Sequence, residues 1–130
     1  WLCGTVLGSV GMALHHKLCH TLGGSLNLPH AETHAIILPH ATAYNQSAAS
    51  DELAPVAQMF GEADAALGLW NFSKSLGAPM ALKDLGVEAS DLDGMADLAT
   101  KNPYWNPREI TWDGIRGLLG RAWEGAAPSA

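Results

Sequence analysis

Positive charge is scarce in this sequence of 130 residues. Charged residues make up 15% of the chain, and seven Lys and Arg stand against thirteen Asp and Glu, which gives a formal net charge of −6 with neutral histidine. A protein that binds nucleic acid needs a basic surface to neutralise phosphates, and the sequence contains no basic run of that kind. We therefore do not expect nucleic acid among the partners.

Cysteines and long apolar runs are also few. Cys3 and Cys19 lie on one predicted helix, more than two helical turns apart, so they cannot form a disulfide with each other. A reduced chain of this kind is typical of the cytoplasm, which is the location we expect. The longest apolar stretch, residues 1–14, is too short for a membrane span and lacks the basic flank and cleavage site of a signal peptide. We therefore expect no membrane partner.

The chain has no initiator methionine and begins with Trp1 in an apolar run that no N-cap residue precedes. A natural domain seldom starts inside a hydrophobic helix. We therefore expect residues 1–130 to be the C-terminal part of a longer protein.

Runs with the two-residue period of β-strands are missing, whereas apolar residues recur at helical spacing throughout. We predict an all-α fold, a helical bundle of six to seven helices. The predicted segments run from the start to about Leu22, His30 to about Leu38, Ser50 to Phe60, Asp64 to Leu76, Met80 to Leu85, Ser90 to Thr100 and Thr111 to Glu124.

Local residue types predict where these helices begin and end. Gly23-Gly24 is expected to end the first helix, and Pro39 to kink or restart the second. Ser50, Ser90 and Thr111 are predicted N-caps. Residues 102–108, NPYWNPR, are predicted to be irregular because a residue that precedes proline avoids helical conformation.

Histidine, by contrast, is concentrated in one stretch. All six histidines lie within one fifth of the chain: His15, His16, His20, His30, His34 and His40. His16 and His20 are four residues apart, as are His30 and His34, so each pair projects from one face of its helix. Such pairs can present two imidazoles to a metal ion or transfer protons near neutral pH.

A buried neutral core residue is the alternative interpretation of any single histidine, and it is the more frequent one. His15 and His40 fit this interpretation best. Glu32 is the only carboxylate among the histidines, so a complete metal shell needs ligands from elsewhere.

A fixed order of glycine, histidine and proline in this stretch resembles the signature of the iron-containing alcohol dehydrogenase family, in its C-terminal helical domain. The matching elements are Gly11-x-x-x-x-His16-x-x-x-His20-x-x-Gly23, Pro29-His30 and Leu38-Pro39-His40. The chain departs from the alcohol dehydrogenases at Ala31, where they have glycine, and at His34, where they usually have asparagine. These two departures are similar to the maleylacetate reductase branch of the family. The sequence runs LPHAETHA and NPYWNPR are similar to that branch as well.

The resemblance implies an enzyme that uses NADH or NADPH to reduce the carbon–carbon double bond of maleylacetate to 3-oxoadipate in the breakdown of aromatic compounds. It also implies an N-terminal α/β nucleotide-binding domain, which we expect to lie outside residues 1–130, because Gly23-Gly24 follows a helix and not a strand. The expected partners are this N-terminal domain, a small dicarboxylate substrate and a second copy in a homodimer. We expect the 130-residue chain alone to be inactive.

The resemblance also assigns roles to the histidines. It implies that His16 and His30 are metal ligands, for Fe or Zn, and that His20 lies beside the nicotinamide and the substrate. As a hypothesis, His20 donates a proton or stabilises an enolate, and His16 and His30 hold that enolate or a metal. Lys17, Arg108 and His34 are candidates for contacts with the substrate.

Two other functions remain open at this stage. The first is a part of a metal-dependent alcohol dehydrogenase of the same family, although Ala31 and His34 speak against that. The second is a non-enzymatic helical module that binds a metal or a partner through its histidines, although such a module would not require the ordered motifs. We expect any metal bound by residues 1–130 alone to be held weakly, because the family's remaining ligands come from the other domain.

Overall fold

The chain folds into α-helices joined by short connections. The computed structural model describes residues 1, 2, 5, 9, 11–102 and 104–129, and no β-strand occurs among them. Its elements are α1 (Leu14–Leu26), α2 (His30–Asn45), α3 (Ser50–Phe60), α4 (Ala65–Ser75), a 3-10 helix (Leu82–Leu85), α5 (Asp91–Thr100) and α6 (Trp112–Glu124). The all-α prediction is confirmed. No helix in the described ranges combines the length and apolarity needed to cross a membrane.

The first predicted helix is interrupted. Leu2, Thr5 and Ser9 are helical, residues 11–13 are not, and α1 starts only at residue 14. The helix then continues past Gly23-Gly24, the predicted end, and stops at Asn27, whose backbone adopts a left-handed conformation with φ of 52°. The reason is packing: the helix presents buried Leu22 and, one turn later, Leu26 to the same core, and Asn tolerates the left-handed cap.

Helix α2 passes through Pro39 without ending, so the prediction of a boundary near residue 38 is wrong. A proline inside a helix removes one backbone hydrogen bond and is normally unfavourable. Here Pro39 is buried, as are Ile36 and Ile37 before it and Ala41 after it. Burial of these apolar side chains outweighs the cost of the missing bond.

The core lies between α1, α2, α5 and α6. Helix α1 packs against α2 and α5, and α6 packs against α2 and α5, while α3 and α4 pack together and α4 covers another side of α2. Fully buried leucine and isoleucine side chains fill the centre: Leu14, Leu22, Ile37, Ile115, Leu118 and Leu119. The contact between α1 and α2 is the feature that positions the histidines.

Only some of the predicted caps form. The Thr111 hydroxyl accepts a hydrogen bond from the backbone N–H three residues ahead, as predicted. Asp64 caps α4 in the same way, at 2.8 Å. Ser50 and Ser90, both predicted caps, make no capping hydrogen bond to a backbone N–H of their helices. At the start of α5 the carboxylate of Asp91 instead accepts the N–H of Glu88, a residue before the helix, at 2.9 Å.

The segment after α5 is irregular, as predicted, and is tied to the end of α2. The side-chain amides of Asn45 and Asn106 hydrogen-bond to each other in both directions, at 3.1 and 2.7 Å. Arg108 places its guanidinium 4.4 Å from the centroid of the Tyr44 ring and donates to the Tyr44 carbonyl at 3.1 Å. These contacts hold residues 104–110 against α2.

Candidate active site

Five of the six histidines form a single cluster across the contact between α1 and α2. The pairs predicted from the sequence are in contact, with ring centroids 4.8 Å apart for His16 and His20 and 4.2 Å apart for His30 and His34. Between the two helices, the distance is 5.1 Å from His16 to His34 and 6.3 Å from His20 to His30. The structure therefore places the three histidines with proposed catalytic roles on a common face.

The outer part of the cluster is open to solvent. His20 and His30 are exposed, and His16 is half-buried. Within the described residues, no hydrogen bond engages the ring nitrogens of these three imidazoles, so their lone pairs and N–H groups are free for a substrate or a metal. This is the chemistry that a proton-transfer or metal-binding site needs.

The inner part of the cluster is His15 and His34. The Nε2–H of His15 donates to the carbonyl of His34 at 3.2 Å, and the two ring centroids are 4.9 Å apart. Burial, followed by repulsion from the neighbouring histidines, lowers the pKa of His34 to about 4. Burial also lowers the pKa of His15, partly offset by the hydrogen bond to His34. Both inner imidazoles are therefore neutral near pH 7.

His40 lies apart from this cluster. It is 1% exposed, and neither of its ring nitrogens has a hydrogen-bond partner among the residues that the structure describes. Burial, with a smaller contribution from Arg121, lowers its pKa to about 4. The interpretation of His40 as a core residue is confirmed, although the carbonyl partner typical of such a residue is missing from the described contacts.

The two candidate cations both lie near Tyr104. The Nζ of Lys17 is 5.9 Å from the centroid of the Tyr104 ring. Arg108 and Tyr104 line an open cavity of about 280 Å³. One nitrogen of Arg108 is already engaged with the Tyr44 carbonyl, so Arg108 also has a structural role. Burial raises the pKa of the Tyr104 hydroxyl to about 12, which keeps that hydroxyl protonated.

Cys19 was not recognised as a potential site residue from the sequence. It is 1% exposed, its thiol is free, and burial raises its pKa to about 12. It follows His15 by four residues on α1 and lies near His34, so the i,i+4 spacing that drew attention to the other histidines also applies to it. Cys3, predicted not to pair with Cys19, lies outside the described residues.

The residues present are suited to part of a metal shell. His16 and His30 lie on adjacent helices and are joined through contacts of both with His34 and His20. Their nitrogens are of the type that binds Fe²⁺ or Zn²⁺. Glu32 is exposed, and in the described part of the chain no carboxylate joins a group of potential metal ligands. The pair therefore supplies two ligands, and a complete shell takes the others from outside these residues.

Comparison with known proteins agrees with this arrangement. Residues 1–123 match the C-terminal region of the Fe-containing alcohol dehydrogenase family. The chain is 62% identical over 128 residues to a maleylacetate reductase from Rhizobium sp. strain MTP-10005, covering 98% of this chain and 36% of that protein. It is 51% identical over 129 residues to one from Burkholderia cepacia, covering 99% and 37%.

The structure is also similar to solved structures of related proteins. The crystal structure of maleylacetate reductase from Agrobacterium tumefaciens superimposes with a TM-score of 0.93 at 64% identity, over 98% of this chain and 36% of that chain. The chain thus spans little more than a third of the length of these relatives. On the family match over residues 1–123 and the close superposition of its helices, the chain belongs to the Fe-containing alcohol dehydrogenase family, in its C-terminal domain.

Proposed function

We propose that this chain provides the histidine-lined catalytic surface of an NAD(P)H-dependent maleylacetate reductase. The proposal rests on one observation, the shared open face on which His16, His20 and His30 meet. The 62% identity to a maleylacetate reductase supports this choice of substrate over the alcohols of other family members.

The reaction places three demands on the site. A hydride from NADH or NADPH adds to the alkene carbon β to the ketone, and the π electrons move onto the ketone oxygen, which becomes an enolate. The enolate then collapses, and the carbon next to the ketone takes up a proton. The protein must therefore stabilise negative charge on the oxygen and deliver one proton to the carbon.

The outer histidines can meet both demands. His20 is exposed and its ring lies 4.8 Å from that of His16, so we assign it as the proton donor or the donor to the enolate oxygen. His16 and His30, whose rings lie 4.8 and 6.3 Å from that of His20, are assigned to hold the enolate. A divalent metal such as Fe²⁺ or Zn²⁺, when bound at His16 and His30, would supply additional positive charge for that oxygen.

The substrate's carboxylates need cationic or N–H partners. We assign Lys17 and Arg108 to them, because the Nζ of Lys17 lies 5.9 Å from the centroid of the Tyr104 ring and Arg108 lines the same open cavity as Tyr104. His34, with a pKa lowered to about 4, is neutral near pH 7 and offers an N–H donor in place of a charge.

We further propose that a nucleotide-binding α/β region outside residues 1–130 covers the His20 side and holds the nicotinamide against it, so that the 130 residues alone are inactive. The length of the relatives, of which this chain spans 36%, supports that proposal. We also retain a homodimer as the assembly. The free, buried thiol of Cys19 supports a reducing compartment, the cytoplasm.

The test is a comparison of NADH and NADPH oxidation with maleylacetate by the full-length protein and its His20→Ala variant. If His20 delivers the proton, kcat should fall about 100-fold or more, because general acid catalysis contributes at least that much. The KM for the nucleotide should change less. Lys101→Ala, which alters an exposed residue beyond α5, serves as the control and should leave the rate unchanged.

A His20→Ala variant that keeps nearly the full kcat would show that His20 does not have this role. If the full-length protein instead oxidises simple alcohols in the presence of Fe²⁺ and leaves maleylacetate unchanged, the alcohol dehydrogenase alternative would replace the reductase.

A further inference from the structure

A second group of potential ligands lies beneath the open histidine face. His15 and Cys19 are four residues apart on α1, and His34 faces them from α2. Ligand atoms of these three side chains, one from each, lie within 4.8 Å of one another. Among the described residues this is the one trio of histidine, cysteine, aspartate or glutamate brought together so closely. It shares no residue with His16 and His30.

The spacing of the trio is close to that of a metal site. A tetrahedral Zn²⁺ ion with sulfur at about 2.3 Å and nitrogen at about 2.0 Å holds its ligand atoms roughly 3.3 to 3.6 Å apart. The most widely separated of these atoms, up to 4.8 Å apart, need to approach by about 1.2 to 1.5 Å to reach this geometry, which side-chain rotations can supply. A thiolate and two imidazoles are the ligand types that select zinc and similar thiophilic ions.

The hydrogen bonding of the trio leaves its lone pairs free. His15 uses its Nε2–H to donate to the His34 carbonyl, so its other nitrogen carries the lone pair that a metal needs. That arrangement, a ring oriented by a backbone carbonyl, is common around metal-binding histidines. The Nε2 of His34 is buried and has no hydrogen-bond partner within the described ranges. A buried nitrogen without a partner is unfavourable, and a bound ion would satisfy it.

The trio is also reachable from solvent. His15 lines an open cavity of about 230 Å³ whose wall includes Glu52 and Thr42. His15 and His34 are half-buried, and only Cys19 is fully enclosed. An ion can therefore enter beside His15, and a water molecule from the cavity can complete the coordination as the fourth ligand, as in sites with three protein ligands.

We propose that His15, Cys19 and His34 form a binding site for a thiophilic divalent cation of the zinc type, distinct from the pair His16 and His30. Binding forms one metal–sulfur and two metal–nitrogen bonds, and the thiol proton of Cys19 leaves to solvent. The ion links α1 to α2 directly. It also fixes the ring of His34, which contacts His16 and His30, so the site positions the floor of the open face.

Cobalt is the probe that distinguishes this site from its neighbour. The purified full-length protein is titrated with Co²⁺ and the near-ultraviolet thiolate-to-cobalt charge-transfer absorption is recorded, followed by displacement with Zn²⁺. We expect a saturable thiolate band in the unmodified protein. Cys19→Ser and His34→Gln should bind Co²⁺ at least about tenfold more weakly, because loss of a direct ligand exceeds the effect of an outer-shell change.

Two variants are matched controls. Cys3→Ser removes the other thiol of this chain, and His30→Gln removes a ligand of the neighbouring pair; both should keep the band. Because Cys19 is buried, folding of each variant is checked by circular dichroism, and His34→Gln decides the result if Cys19→Ser does not fold.

The proposal is overturned if the unmodified protein shows no thiolate band, if the band survives in folded Cys19→Ser, if folded His34→Gln binds Co²⁺ as tightly as the unmodified protein, or if His30→Gln abolishes the band. The readout is independent of turnover, so the two proposals can fail separately. A failed cobalt titration does not contradict the proposed reductase activity, and an inactive enzyme does not contradict this metal site.

Discussion

His40 should make the folded state sensitive to acid. It is 1% exposed in the middle of α2, and burial holds its pKa at about 4, against an ordinary value of 6.5. Below pH 6.5 the unfolded chain therefore binds a proton at His40 that the folded chain does not. Because the unfolded state binds more protons in this range, the free energy of unfolding decreases as the pH falls from 6.5 towards 4.

The size of the effect follows from the two pKa values. A fall from 6.5 to about 4 corresponds to about 3 kcal/mol in total, at about 1.4 kcal/mol for each tenfold change in proton affinity. At about pH 5, most of the pH interval between the two pKa values of His40 has been crossed. His40 alone should therefore reduce the free energy of unfolding by about 2 kcal/mol relative to about pH 7.5. An effect of this size is a large fraction of the stability of a typical domain.

Urea unfolding at both pH values checks this, with His40→Leu as the perturbation. Leucine fills a similar volume and does not titrate. Between about pH 7.5 and about pH 5, the free energy of unfolding of the variant should therefore decrease by about 2 kcal/mol less than that of the unmodified protein. His20→Ala, which removes an exposed histidine, is the matched control and should keep the loss of the unmodified protein. If His40→Leu and the unmodified protein lose the same amount, the reasoning about His40 is wrong.

Two further predictions concern local packing and capping, both measured by urea unfolding. Gly114→Ala should destabilise the protein by about 1 to 3 kcal/mol, because the added Cβ would lie 2.8 Å from a ring carbon of Tyr44. Gly94→Ala, in a helix and with open space around it, should instead stabilise it by about 0.5 to 1 kcal/mol, and equal effects of the two changes would refute the contact. Asp64→Ala should cost about 1 kcal/mol through the lost cap. Ser90→Ala should be nearly neutral, since Ser90 makes no capping bond, and a similar cost at both sites would contradict the structure.

The boundaries of α1 and α2 show the limit of prediction from local signals. Gly23-Gly24 and Pro39 are residues that commonly end or interrupt helices, yet both lie inside helices here. Leu26, beyond the glycines, and Pro39 itself are packed into the interior. The free energy of burying these side chains depends on helices that are distant in sequence, and no local pattern reports it.

The histidine face was predictable because it depends on short-range geometry. A spacing of four residues places His16 beside His20, and His30 beside His34, on any regular helix, and the short connection between α1 and α2 favours their meeting. Their catalytic roles stay predictions until the variants are assayed.

The sequence by itself determined the helical fold class, through the period of its apolar residues, and the pairing of histidines along each helix. Only the tertiary structure decided that His34 lies beside His15 and Cys19, that His40 is separated from the other histidines, and that Arg108 packs on Tyr44. The physical reason is the sequence separation over which each kind of interaction acts. Helical periodicity relates residues within one or two turns, whereas these three arrangements depend on which helix faces meet, and that is settled by packing across the whole chain.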